Sequence, residues 1–320
     1  MPYKGSKSSI AKWIVDSLPS SDVFVDLFFG GGAVTHAGLL SFKYKQFVAN
    51  DIDERLIPFF LDCCYGKYTT ENHKEWISRE DFFERIDDIY IALIWSFGNN
   101  GKDYLYSKER EPFKKAMHYA CFYGDTSLLR ELGVEIPEVE ENTPYERYRH
   151  YQAYFRSEDA RSNELERLQS LEGLENLYRL QSLQSLQSLQ SLQSLQSLQS
   201  DYVEAMAEVN RQYAEKDILI YADPPYSDTN CGKYQGFDSV RFYEWAREQD
   251  NIFISEYKMP DDFIPYAWTE KTVLSAASTN AIKAKEIIWT NQRTYDKLSH
   301  EKRLFAQSEF SKQMTLEDYL

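Results

Sequence analysis

One stretch, ILIYADPPY (residues 218–226), constrains this chain more than any other. The run ILIYA is apolar and rich in β-branched side chains, and it reads as a buried strand. Two prolines directly behind Asp223 end it. Proline lacks the N–H that a sheet ladder needs and fixes φ at about −65°, so a central strand cannot continue through Pro224 and Pro225. The strand must stop abruptly, with a carboxylate, a proline carbonyl and the Tyr226 ring at its tip.

Similar apolar runs alternate with helix-like segments at both ends of the chain. VFVDLFF (23–29) reads as a strand from which GGGAV opens a helix, and QFVANDI (46–52) as a second, followed by the helical ERLIPFFLDCCY. After the proline corner come a helix around VRFYEWAREQ and the strands NIFISEY (251–257) and EIIWTN (286–291). Such alternation predicts an α/β fold with a mostly parallel sheet covered on both faces. The middle of the chain breaks the rhythm and reads as an insertion. The expected division is a catalytic domain over 1–65 and 201–320, an inserted domain over 66–179, and an LQS tripeptide repeat over 180–200. Leucine at every third residue falls about 60° short of each α-helical turn, so the leucines spiral instead of forming a stripe. A low-complexity linker is the expectation for the repeat.

Chemistry concentrates at the predicted strand ends. In VDLFFGGGAV, a strand, a glycine turn and a helix start let backbone approach a ligand closely and aim N–H groups at it. Three glycines after a strand also make an ordinary tight turn. The next strand ends in ANDID (49–53), an acid about 20 residues beyond the glycines, where doubly wound folds hold a nucleoside ribose. Asp51 suits that role, and Asp53 suits capping the helix that follows. At DPPY, the Asp223 carboxylate and the Pro224 carbonyl can both accept hydrogen bonds from one exocyclic amino group. Pro225 locks the second acceptor, and Tyr226 can stack on the base. Two acceptors draw the amino lone pair out of ring conjugation and make it nucleophilic.

With these residues in this order, the chain resembles the Dam-like, DPPY-type class of adenine-N6 DNA methyltransferases. YKGSK (3–7), DLFFGGGAV (26–34), NDID (50–53) and DPPY carry the resemblance, with Asp26 standing where many members have Glu before Pro. IALIWSFGNNGKDYLYSKEREPFKK (91–115) is similar to the family's inserted DNA-recognition segment, and FYEWAREQDNIFISEYKMPDDF (242–263) to its downstream catalytic strand. The resemblance implies a Rossmann-like S-adenosylmethionine-dependent fold with an inserted, mainly helical DNA-recognition domain. It implies methyl transfer from S-adenosyl-L-methionine, leaving S-adenosyl-L-homocysteine, to an adenine flipped out of double-stranded DNA, with Asp223, Pro224, Pro225 and Tyr226 catalytic. Cofactor contacts are implied at Tyr3, Lys7, Phe29, Gly30, Gly31, Gly32, Asp51 and Asp223. SDYVEAM (200–206) adds Asp201 and Tyr202, although Asp201 reads equally as the cap of the helix YVEAMAEVNRQY. Asn99 and Asn100 would pair with base edges, while Lys102, Arg110, Lys114 and Lys115 would meet phosphates. Asn-Asn-Gly is also a common turn sequence. A cognate restriction endonuclease is a possible partner. Cytosine-N4 or RNA adenine methylation, and a non-catalytic DNA-binding relative, are the alternatives.

Composition bounds this reading. The net charge of −15 opposes a nucleic-acid partner overall. Basic and aromatic residues nevertheless interleave in YKGSKSSIAKW, KDYLYSKEREPFKK and YERYRHYQAYFR. Cys63, Cys64, Cys121 and Cys231 have neither CxxC spacing nor nearby histidines, which argues against a zinc site or a disulfide framework. With no apolar leader or span, a reduced, cytoplasmic protein associated with DNA is expected.

Overall fold

The computed structural model describes residues 1–137, 139–156, 170–225, 237–274, 281–299, 302–304 and 306. The chain forms two compact units, one from Met1–Gly5 with Pro58–Gln187 and one from Ser6–Ile57 with Ser188–Leu320.

The second unit is built on one sheet. Its strands are β1 (Ser21–Asp26), β2 (Tyr44–Asn50), β3 (Leu195–Leu198), β4 (Ile218–Ala222), β5 (Ile252–Ser255), β6 (Ile264–Leu274) and β7 (Ala281–Thr290), in the order β3-β2-β1-β4-β5-β7-β6. The pairings among β3, β2, β1, β4 and β5 are all parallel, and β7 is antiparallel to both β5 and β6. Strand alternation sorts the core onto two faces. Val23, Val25, Val48, Ile220, Ala222, Ile252 and Ile254 share one cluster with Met206 and Val209 of helix Tyr202–Gln212 and Phe242 of helix Ser239–Arg247. The intervening residues bring aromatic rings together, Phe24 lying 4.7 Å from Tyr44 and 6.3 Å from Tyr221.

The first unit is helical. It includes helices Arg79–Glu84, Ile89–Ile94, Glu111–Tyr123, Pro144–Arg156 and Glu172–Gln181 around buried Trp76, Trp95, Tyr106 and His118. Ser78 and Asp81 close a reciprocal capping box on the first of these. A short hairpin projects between Ser96 and Tyr104, which form an isolated bridge.

The unit boundaries differ from those expected. The first falls at Ile57/Pro58 and not at 65/66, and the second falls within the repeat, at Gln187/Ser188. The repeat is divided between the two units. Ser182–Leu186 is a 3-10 helix, and at three residues per turn a period-three sequence does form a stripe. Leu180, Leu183 and Leu186 are accordingly buried. Farther along, the same tripeptide forms helix Gln190–Gln193 and then β3, which pairs Leu195 with Phe47 and Leu198 with Asn50. Asn50 secures the end of that strand, its amide donating to the Ser200 carbonyl at 3.1 Å and its Oδ1 accepting from Ser200 N–H at 3.2 Å.

Candidate active site

Strand order reverses between β1 and β4, since the chain runs outward from β1 through β2 and from β4 through β5. Open α/β sheets bind ligands outside the carboxyl ends of strands at such a switch point. The glycine turn leaves β1 there, and Asp223–Pro225 leaves β4 beside it.

The turn is held by main-chain bonds. Leu27 N–H donates to the Tyr221 carbonyl, Phe29 N–H to that of Asn50 and Gly32 N–H to that of Phe29, at 2.8–2.9 Å. Gly30 and Gly32 have φ of 50° and 65°, in the left-handed region that glycine enters without strain. At Gly32 a Cβ would lie 2.4 Å from the buried Phe29 ring, so both the backbone conformation and close packing exclude a side chain. Helix Ala33–Ser41 follows directly. The Asp51 carboxylate, only 1% exposed, ties the end of β2 to this turn. Its Oδ2 accepts from Gly30 N–H at 2.8 Å and its Oδ1 from Asp53 N–H at 2.9 Å. Asp53 turns the chain into the next helix through bonds to Arg55.

Two further carboxyl groups border the turn. Asp26, at the end of β1, accepts from the Thr35 hydroxyl at 2.7 Å. Burial pushes Asp26 up to about 7; the Thr35 bond opposes the shift, and the Asp223 and Asp51 charges add to it. At the end of β4, Asp223 Oδ1 accepts from the Lys7 ammonium at 2.8 Å. The same ammonium lies 3.3 Å from Glu286 Oε1 on β7. Burial disfavours the charge on Lys7, but Asp223, Tyr221 and Glu286 outweigh it and hold the amine above its usual range. Tyr221 is buried beneath this group with its hydroxyl 2.8 Å from Ser255 Oγ, and burial keeps its phenol protonated well above the ordinary value. Glu256, just past β5, is pushed up to about 7, first by burial and further by Asp223 and Glu286.

Lys7, Phe29, the three glycines, Asp51, Asp223, Pro224 and Pro225 thus lie in the sheet unit, at or beside the carboxyl ends of its central strands. Tyr226 lies outside the described residues. Tyr3 belongs to the helical unit. Asp201 caps helix Tyr202–Gln212, accepting from Val203 N–H at 3.0 Å, which is the alternative its sequence position allowed. Tyr202 packs among Phe28, Phe237, Phe242 and Trp245, and its buried hydroxyl has no hydrogen-bond partner among the described residues.

In the helical unit, Asn99 and Asn100 build the hairpin turn. Asn99 Nδ2 donates to the Leu93 carbonyl at 2.8 Å, and Asn100 Oδ1 accepts from the N–H groups of Lys102 and Asp103. Lys102, Arg110 and Lys115 are exposed. Lys114 is not available to a phosphate: it is 3% exposed, with its ammonium bonded to Ser170. Helical phase explains this, because Lys114 shares the inward face of Glu111–Tyr123 with Met117, His118 and Cys121. Cys63, Cys64 and Cys121 are buried free thiols, and burial pushes the first two up to about 12. No helix among the described residues is long and apolar enough to cross a membrane.

Sequence reasoning missed Glu256 and Glu286 as members of the site. The available signal was an acid inside an otherwise apolar strand, as in KEIIW.

The seven-stranded, mostly parallel sheet, with a glycine turn and an acid at its switch point, has the architecture of a Rossmann-like methyltransferase fold. Over residues 3–178 the chain matches the family model of the D12 class N6 adenine-specific DNA methyltransferases, and it belongs to that family. It is therefore an adenine-N6 DNA methyltransferase, of a family that uses S-adenosylmethionine. No curated protein matches the chain.

Proposed function

We propose that this chain transfers the methyl group of S-adenosyl-L-methionine to N6 of an adenine flipped out of duplex DNA, at the corner formed by Asp223, Pro224, Pro225 and Tyr226. The observation that carries the reading is the adjacency of the glycine turn and the Asp-Pro-Pro corner at the ends of neighbouring strands β1 and β4. The residues suit a cationic nucleoside cofactor. Asp26, Asp51 and Asp223 border the turn, and the Tyr202 hydroxyl is a buried group with no partner among the described residues.

When bound, S-adenosyl-L-methionine supplies an electrophilic methyl group on a sulfonium. Gly30–Gly32 and Phe29 would hold its amino-acid end and Asp51 its ribose, with Tyr202 and Asp201 flanking its base and Lys7 approaching from the N-terminal segment. Asp223 and the Pro224 carbonyl accept the two N6 hydrogens, and Pro225 keeps that carbonyl in place. Transfer would carry the methyl group from the sulfonium to N6 with the C–S electrons staying on sulfur, and this chain's part would be to hold N6 in line for that exchange through Asp223 and Pro224. The surplus proton leaves N6 along its hydrogen bond to Asp223. Flipping costs a few kcal/mol of unstacking, which stacking on Tyr226 partly offsets. Proximity and alignment of nitrogen, carbon and sulfur supply much of the acceleration.

The helical unit, which the chain enters at Pro58, reads the flanking sequence, with Lys102, Arg110 and Lys115 meeting phosphates. Asn99 and Asn100 hold the turn that enters the groove, and they reach base edges by exchanging those turn bonds. A cognate restriction endonuclease and a cytoplasmic location beside the DNA complete the reading. Duplex DNA incubated with labelled S-adenosyl-L-methionine and digested to nucleosides should carry label in N6-methyladenine. Label in N4-methylcytosine, or none at all, overturns the proposal.

A further inference from the structure

The Lys7 ammonium is 3% exposed and lies between two carboxylates, at 2.8 Å from Asp223 and 3.3 Å from Glu286. One carboxylate would suffice to neutralise it. A second, itself 1% exposed, is costly to bury unless it is well paired. Glu286 sits on the antiparallel strand β7 and meets the site at the Lys7 ammonium.

We propose that Glu286 is a positioning residue for methyl transfer: by sharing the Lys7 ammonium it limits how much of that charge falls on Asp223, and it fixes the plane of the Asp223 carboxylate. With Oδ1 tethered at a set distance, the direction of Oδ2 is set as well. A carboxylate fully neutralised by lysine is a weaker acceptor for an amino group, because the ammonium and the amine compete for the same lone-pair density. Glu286 keeps Asp223 electron-rich at the moment the N6 lone pair is recruited. This inference rests on the role proposed above for Asp223.

The groups that respond to Glu286 are Lys7 from the N-terminal segment, Glu256 after β5 and Tyr257 beside it. Among the described residues, Tyr221 on β4, Asp223 just past it and Asp26 on β1 add to these charged surroundings. A negative charge at 286 raises the pKa of neighbouring carboxyls. Its removal therefore moves the acidic limb of the kcat profile to lower pH while the plateau falls.

The test is Glu286→Gln, which keeps the shape and an acceptor for Lys7 but removes the charge. The expected result is about a tenfold loss of kcat, a KM for DNA within twofold of wild type and the acidic limb displaced downward. In a Lys7→Gln background the same substitution should change kcat less than twofold, because the effect travels through the ammonium. A wild-type kcat, an unmoved limb, or an equal loss in the Lys7→Gln background overturns the assignment. Should Glu286→Gln prove too unstable to assay, Glu286→Asp carries the test: with the charge kept, the limb must stay in place, and a limb that moves refutes the role. Wild-type protein assayed in parallel separates the claims. If it transfers no methyl group, the proposed function fails; if it does and Glu286→Gln matches it, only the role of Glu286 fails.

Discussion

At the end of β1, Asp26 keeps its proton up to about pH 7, chiefly because it is buried. An unfolded aspartate loses that proton near its ordinary value of 3.8. Between these limits the folded state binds more protons, so this contribution to stability is complete at low pH and is lost as pH rises through 7, by at most about 1.4 kcal/mol per pH unit. Asp26→Asn can still accept from Thr35 and should flatten the decline in Tm between about pH 4 and 7. A slope identical to wild type would show that the carboxyl does not titrate as described. At the proposed catalytic corner, Asp223→Ala should lower methyl transfer by at least about 100-fold, the scale seen when one stabilising hydrogen-bond partner is removed. DNA binding, followed by fluorescence anisotropy, should stay within a few-fold. These residues were legible in the sequence because each depends on backbone geometry that few residue types permit: glycine at φ 65° in one turn, consecutive prolines in the other. Glu256 and Glu286 were not. A glutamate in or beside a strand ordinarily faces water, and the ion pair that accompanies Glu286 into the interior comes from Lys7, far along the chain.

Elements show the same division. The four central strands β1, β2, β4 and β5 could be read from short apolar runs, and so could the strand core of β7. β6 could not, since its sequence, IPYAWTEKTVL, opens with a proline and carries charges, and only the register with β7 makes it a strand. The conformation of the repeat escaped the sequence reading for a physical reason: its period of three was weighed against the α-helical turn, whereas Ser182–Leu186 form a 3-10 helix. Identical tripeptides therefore differ in consequence according to where they fall. Leu186 is fully buried and Leu189 is half-buried. Leu186→Ala should cost about 2–5 kcal/mol, the range for emptying a leucine site in a core, and Leu189→Ala under about 1 kcal/mol. Chemical denaturation of the two variants decides between a structural segment and a spacer, which would tolerate both changes equally.

For the whole molecule, a net charge of −15 must be reconciled with a polyanionic substrate. Attraction has to be local, from exposed cations such as Lys102, Arg110 and Lys115, and it is countered by repulsion elsewhere that salt will screen. Arg110→Gln should weaken binding to all duplexes alike and reduce the slope of log K against log salt by about 0.9, the loss of one phosphate contact. A change confined to one DNA sequence would instead mark Arg110 as a reader of bases. The repeat has a genetic consequence as well. Tandem codons invite slippage during replication, and each gain restores the same tripeptide in the same phase. Because Asn50 grips Ser200 at the far end, an added copy leaves β2 facing leucine, glutamine and serine in unaltered order. Here the gene can grow longer while the sheet it encodes keeps its neighbours.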